Sequence, residues 1–113
     1  MIVVSNTTPL IGLASINRFD LLNILFGEIF IPRAVSSEAV VAGREEGGAK
    51  RQFSSATWIN TRYVKDRPAV NDLLNDLDLG ESETIVLARE LNADWVLMDE
   101  KKGRRELSQL GMN

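Results

Sequence analysis

The 113-residue chain contains no cysteine and no histidine. Together these absences exclude disulfides, thiol nucleophiles, serine–histidine triads and the usual zinc ligands. Any chemistry must run on carboxylates, amides, hydroxyls, lysine, arginine or the single tyrosine, Tyr63. The lack of cysteine also fits a reducing compartment. Long apolar runs are missing, and the N-terminus Met1-Ile2-Val3-Val4-Ser5-Asn6 has no basic start. Export and membrane spanning are therefore not expected, and a cytoplasmic protein is. An excess of positive charge is absent too, with a formal net charge of −3. A polyanionic partner would need a local basic patch or bridging metal ions.

What is present reads as an ordinary globular chain, 44% apolar and 26% charged. That length and composition support a single domain over 1–113 with one modest core. Ile2 to Ser5 is a β-branched run, expected as a buried strand. Thr8 followed by Pro9 suggests an N-cap and first helical position, with Leu10, Leu13 and Ala14 along the helix. A second helix spans Phe19 to Leu25 and stops at Gly27. Glu28 to Ile31 reads as a strand, and Pro32 as the opening of a helix to about Ala42. The glycine- and charge-rich stretch 43–57 reads as a polar loop or frayed helix end. Trp58 to Val64 alternates weakly, as a strand would.

Pro68 begins a helix with Val70, Leu73, Leu74 and Leu77 on one face. Glu81 to Leu91 is another helix, Trp95 to Met98 a strand, and Gly103 to Leu110 a last helix ended by Gly111. Strands alternating with helices predict an α/β fold with a parallel sheet. Such sheets bind ligands at the carboxyl ends of their strands, which is where Asn6 and Asp99 fall.

Several carboxylates lie where a site could form. Glu38 shares a helical face with Val35 and Ala42, so it either sits at the solvated edge of that stripe or binds a cation. Glu81 and Glu83 open a helix, where acidic side chains are favoured for capping alone. Glu81 aligns with Thr84, Ile85 and Ala88, whereas Glu83 aligns with Glu90 on the polar face, so Glu81 is the better candidate for a buried site. Asp99 and Glu100 end an apolar strand, as turn-capping residues or as a site. Lys101, Lys102, Arg104 and Arg105 follow as a solvated face or a phosphate-holding cluster. Without histidine, phosphodiester hydrolysis needs Mg²⁺ or Mn²⁺ to activate water and neutralise charge, and oxygen donors gathered at strand ends suit those ions.

The residues also resemble a known family. Val4-Ser5-Asn6-Thr7-Thr8-Pro9-Leu10-Ile11 is similar to the opening motif of PIN domains, in which the position of Asn6 is usually aspartate. Ile31-Pro32 through Val35 to Glu38 resembles the second motif, and Leu79-Gly80-Glu81-Ser82-Glu83 through Leu87-Ala88 the third. Val96-Leu97-Met98-Asp99-Glu100 with Arg104 and Arg105 resembles the fourth. No single motif is specific, but their order is, and the resemblance covers nearly the whole chain. It implies a three-layer α/β/α fold with a mostly parallel sheet, lacking the family's last strand and helix.

The resemblance further implies Mg²⁺- or Mn²⁺-dependent cleavage of single-stranded RNA, commonly by a toxin held by a small antitoxin. The implied metal ligands are Asn6, Glu38, Glu81 and Asp99, with Glu100 as an alternative to Asp99. Glu38, Glu81 and Asp99 would be the catalytic carboxylates, and Thr7 or Thr8 would support the first motif by hydrogen bonding. A catalytically weakened module that only binds RNA or a protein is the alternative, because the Asn6 amide carries no charge and cannot act as a base. A sheet edge left open would be covered by a partner or a second copy, so a homo-oligomer is expected.

Overall fold

Short runs of valine and isoleucine build the sheet. The computed structural model describes residues 1–45 and 49–98, with side chains described outside 42–51. Four strands, β1 (Val3–Ser5), β2 (Ile29–Pro32), β3 (Ile59–Arg62) and β4 (Trp95–Leu97), form one sheet in the order β3-β2-β1-β4. Every pairing is parallel: Val4 faces Phe30, Pro32 faces Arg62, and Ser5 faces Leu97. Buried parallel strands need not alternate in polarity, because helices cover both faces of the sheet. Val3 and Val4, both fully buried, illustrate this. Val3 packs with Leu10, Ala14, Phe19, Leu22 and Val35, while Val4 packs with Val64, Val70, Val86, Leu87 and Ala88. Successive strand residues point to opposite faces, so the two valines enter two separate cores.

Six helices complete the described chain: α1 (Thr7–Ser15), α2 (Asp20–Phe26), α3 (Arg33–Glu45), α4 (Ala49–Ser55), α5 (Arg67–Leu73) and α6 (Leu79–Glu90). This is the α/β/α layering expected from the sequence. Among the described residues, no helix is long and apolar enough to cross a membrane.

Three local expectations need correction. Helix α1 begins at Thr7 with Asn6 as its N-cap, so Pro9 is its third residue and not its first. Proline is tolerated there because first-turn N–H groups have no intrahelical partner. Pro32 closes β2, and α3 starts one residue later. The stretch read as a loop or frayed end contains α4. Its Phe53 packs on Phe19 at a ring separation of 6.4 Å, and Trp58 lies 5.1 Å from the same ring. Tertiary packing of an aromatic side chain thus fixes a helix that polar composition disguises. The expected helix over 103–110 lies outside the described residues.

Strand order also positions the site. From β1 the chain steps to β2 and β3 on one side, then returns to β4 on the other. The chain leaves the carboxyl end of β1 where the strand order reverses, the place at which such sheets open a crevice. Asn6 sits at its mouth, with its backbone N–H donating to the Leu97 carbonyl at 3.1 Å.

Candidate metal centre

Three elements converge on that crevice. Asn6, at the end of β1, is 3% exposed, and it caps α1 without using its side chain. Its Oδ1 is buried and has no hydrogen-bond partner among the described residues. An orphaned buried acceptor costs roughly 1–3 kcal/mol, so an atom that accepts a bound cation or water offsets a real penalty. Helix α3 contributes Glu38, whose Oε2 accepts from Thr7 Oγ1 at 2.6 Å. That contact ties the second motif to the first and supplies the hydrogen bond expected of Thr7 or Thr8. Glu38 itself is exposed, so it lies at the solvated edge of its apolar stripe as well as in the cleft wall.

Helix α6 supplies Gly80 and Glu81. A Cβ on Gly80 would collide with Glu38 Oε1, so only glycine lets that carboxylate lie against the helix. Glu81 is half-buried and forms a capping box with Asp78. Asp78 Oδ1 accepts from Glu81 N–H at 2.8 Å, and Glu81 Oε1 accepts from Asp78 N–H at 3.1 Å. The capping and site readings of Glu81 are therefore compatible, since the cap holds the side chain beside the cleft. The cleft has a volume of about 60 Å³ and is lined by Asn6, Thr7, Thr8, Glu38, Asp78, Gly80 and Glu81. At roughly 10–15 Å³ per water-sized occupant, it has room for a few of them.

The donors are oxygens from an amide, carboxylates and hydroxyls, a set suited to a hard cation. Among the described residues, no group of three carboxylate-bearing side chains could hold a metal ion by itself. This is compatible with Mg²⁺, which keeps several waters and takes one or two carboxylates directly. Glu38 and Asp78 form no ion pair among the described residues. Asp99, Glu100 and the basic cluster Lys101, Lys102, Arg104 and Arg105 lie outside the described residues.

Glu83 departs from its expected place on a polar face. It is 5% exposed, its Oε1 accepts from the Ala34 N–H at 3.0 Å, and its Oε2 pairs with Arg67 at 2.8 Å. Ser82 through Ala88 of α6 are all buried, so its expected polar face is covered at Glu83 and open to solvent only at Glu90. The carboxylate caps the N-terminus of α3, where the first-turn N–H groups need acceptors. Glu83 thereby helps hold α3, the helix that carries Glu38. Asp78 and Gly80 were not singled out from the sequence as site residues. The signal for Asp78 was present, because Asp78-Leu79-Gly80-Glu81 has the spacing of a capping box.

A PIN-domain family model matches residues 2–113. No curated protein matches the chain closely enough to name a relative. The ordered motifs, the all-parallel sheet and this match agree: the chain belongs to the PIN-domain family, a family of nuclease-type modules.

Proposed function

We propose that the protein is a Mg²⁺- or Mn²⁺-dependent endoribonuclease acting on single-stranded RNA, with the cleft at the end of β1 as its centre. The observation that carries this reading is the buried Asn6 Oδ1, unpartnered among the described residues, lining the same cleft as Glu38 and Glu81. Asn6, Glu38 and Glu81 would hold the ion directly or through water, with Asp99 or Glu100 completing the set. A divalent cation bound there supplies neutralisation of phosphate charge and a more acidic water. One of Glu38, Glu81 and Asp99 orients or deprotonates the attacking water. Thr7 fixes Glu38, and the capping box fixes Glu81. The test is incubation with single-stranded RNA and Mn²⁺: cleavage is expected, and cleavage surviving Glu81→Gln overturns the assignment.

The role in this reading is a toxin restrained by a small antitoxin. The exposed apolar side chains Ile16, Ile24, Leu25 and Trp95 offer surface for that protein or for a second copy. Copurification and light scattering test those contacts. A second reading, a module that binds without cleaving, draws on the neutral amide of Asn6. Calorimetric titration with Mn²⁺ separates the two, since tight binding at the cleft argues against an inert site.

A further inference from the structure

Basic and aromatic side chains gather farther along the same edge of the sheet. Val4 pairs with Phe30 and Phe30 with Asn60, so Asn6, Pro32 and Arg62 stand level at the carboxyl ends of β1, β2 and β3. Arg62 is thus two strand spacings from Asn6, roughly 10 Å. Arg33 follows Pro32, and Tyr63 follows Arg62. The Arg33 guanidinium carbon lies 5.3 Å from the Tyr63 ring centroid, and Arg33 donates to the Tyr63 hydroxyl. Arg62 stacks on Phe30 at 5.1 Å. Tyr63 is nevertheless 70% exposed, so its ring is held in place by a guanidinium while remaining open to solvent.

The charges around this ring are unbalanced. Arg33, Arg62 and Lys65 form no ion pair among the described residues, whereas Arg67 is committed to Glu83. The two nearby carboxylates are turned toward backbone amides and keep their charge: Glu90 accepts from the N–H groups of Lys65 and Asp66, and Asp66 accepts from that of Ala69. A hollow of about 580 Å³ lies between Arg62, Tyr63, Lys65, Asp66 and Glu90. Arg33, Arg62 and Lys65 against Asp66 and Glu90 leave a local excess of one positive charge in a chain of net charge −3. We propose that Arg33, Arg62, Lys65 and Tyr63 form a binding subsite for single-stranded RNA, with a base stacked on Tyr63 and phosphates held by the two guanidinium groups. A nucleic-acid strand offers flat π-faces and phosphates together, matching an exposed ring framed by cations. An acidic peptide offers only the charge and leaves the ring uncovered. The choice of RNA rests on the function proposed above, but the binding itself requires neither metal nor cleavage.

Because Tyr63 is the single tyrosine, fluorotyrosine labelling gives one ¹⁹F resonance that reports on this subsite. The whole chain is titrated in EDTA with a short oligouridine, with polyglutamate and with inorganic triphosphate. Oligouridine is expected to shift the resonance and to bind more tightly than either control. Tyr63→Ala should weaken oligouridine binding about tenfold, with Tyr63→Phe within about twofold of the parent, because base stacking needs the ring and not the hydroxyl. Arg33→Ala and Arg62→Ala should each lower the slope of log affinity against log salt by about one. Equal binding of polyglutamate, an unmoved resonance, or full affinity in Tyr63→Ala overturns the proposal. Working in EDTA keeps this outcome separate from the nuclease reading, which is judged by cleavage in Mn²⁺.

Discussion

Glu81 and Glu83 stand two residues apart at the start of α6 and meet different surroundings. Glu81 is half-buried at the cleft, beside Asn6 and Glu38, and shares a capping box with Asp78. Glu83 is buried against α3 and α5, where an amide and a guanidinium take its two oxygens. The first is a carboxylate at a cleft lined by oxygen donors, and the second is a buried charge held by an amide and a guanidinium. Helical spacing set the two on different faces but misjudged their burial, since Glu83 and not Glu81 is the buried one. Periodicity tells which residues share a face, not how many faces a helix will have covered. α6 lies against the sheet, α3 and α5, so Glu83 is buried although Glu90, one helical repeat on, is exposed.

The largest expected effect tests the Glu81 side of this comparison. Glu81→Gln should lower RNA cleavage roughly 10²- to 10⁴-fold, the range for loss of a positioned acid–base group. Glutamine can still close a capping box, so the melting temperature should stay nearly constant. A large fall in melting temperature together with retained cleavage would make Glu81 a structural residue and break the distinction.

Glu83→Ala should show the opposite pattern. It leaves the Ala34 N–H without its acceptor and the Arg67 guanidinium without its partner. A buried donor left unsatisfied costs about 1–3 kcal/mol, and Arg67 adds little because its side chain is 49% exposed. A total near 2 kcal/mol should lower the melting temperature by roughly 10 °C in a domain of this size. Calorimetry supplies that value, and Mn²⁺ titration of the folded variant should show affinity close to the parent's.

The fold was largely legible in the sequence, because alternating apolar runs and turn residues set the order of strands and helices. Ile2 to Ser5, Glu28 to Ile31 and Trp95 to Met98 were each placed within about a residue of β1, β2 and β4. Helix α4 was missed since its packing depends on Phe53 meeting Phe19, a contact 34 positions away in sequence that no local pattern encodes. At the candidate site, strand-end logic pointed to Asn6 and helical spacing to Glu81, whereas Glu38 came from the family resemblance, its spacing being read equally as a solvated edge. The Glu83–Ala34 bond and the Arg33–Tyr63 stack join segments far apart in the chain, so spacing could not show them. Nor could it show that Glu38 rests on Gly80.

Asn6→Asp probes the cleft from the opposite direction. A carboxylate there adds a negative charge next to a bound cation, and at an effective dielectric of about 20 two unit charges 4 Å apart attract by roughly 4 kcal/mol. Desolvation removes much of that, leaving an expected gain in Mn²⁺ affinity of about tenfold. The same charge, buried beside Glu38 without metal, should lower the melting temperature of the metal-free protein, and Mn²⁺ should restore it. Unchanged affinity would place the cation elsewhere.

The smallest effect is the most specific to the geometry. Gly80→Ala adds one methyl group where Glu38 Oε1 now lies. The obstacle is the far end of a flexible side chain, so Glu38 swings away at little cost to the fold. Alanine also favours a helix over glycine by up to about 1 kcal/mol, which should hold or raise the melting temperature. What is lost is the Thr7–Glu38 hydrogen bond and the placement of that carboxylate in the cleft. A hydrogen bond of about 0.5–1 kcal/mol corresponds to a two- to fivefold weaker Mn²⁺ affinity. Glu83→Ala costs stability and spares the metal, whereas Gly80→Ala should spare stability and cost the metal. If both variants instead lose stability alone, the contact between α3 and α6 serves packing throughout, and Glu38 has no part in the centre.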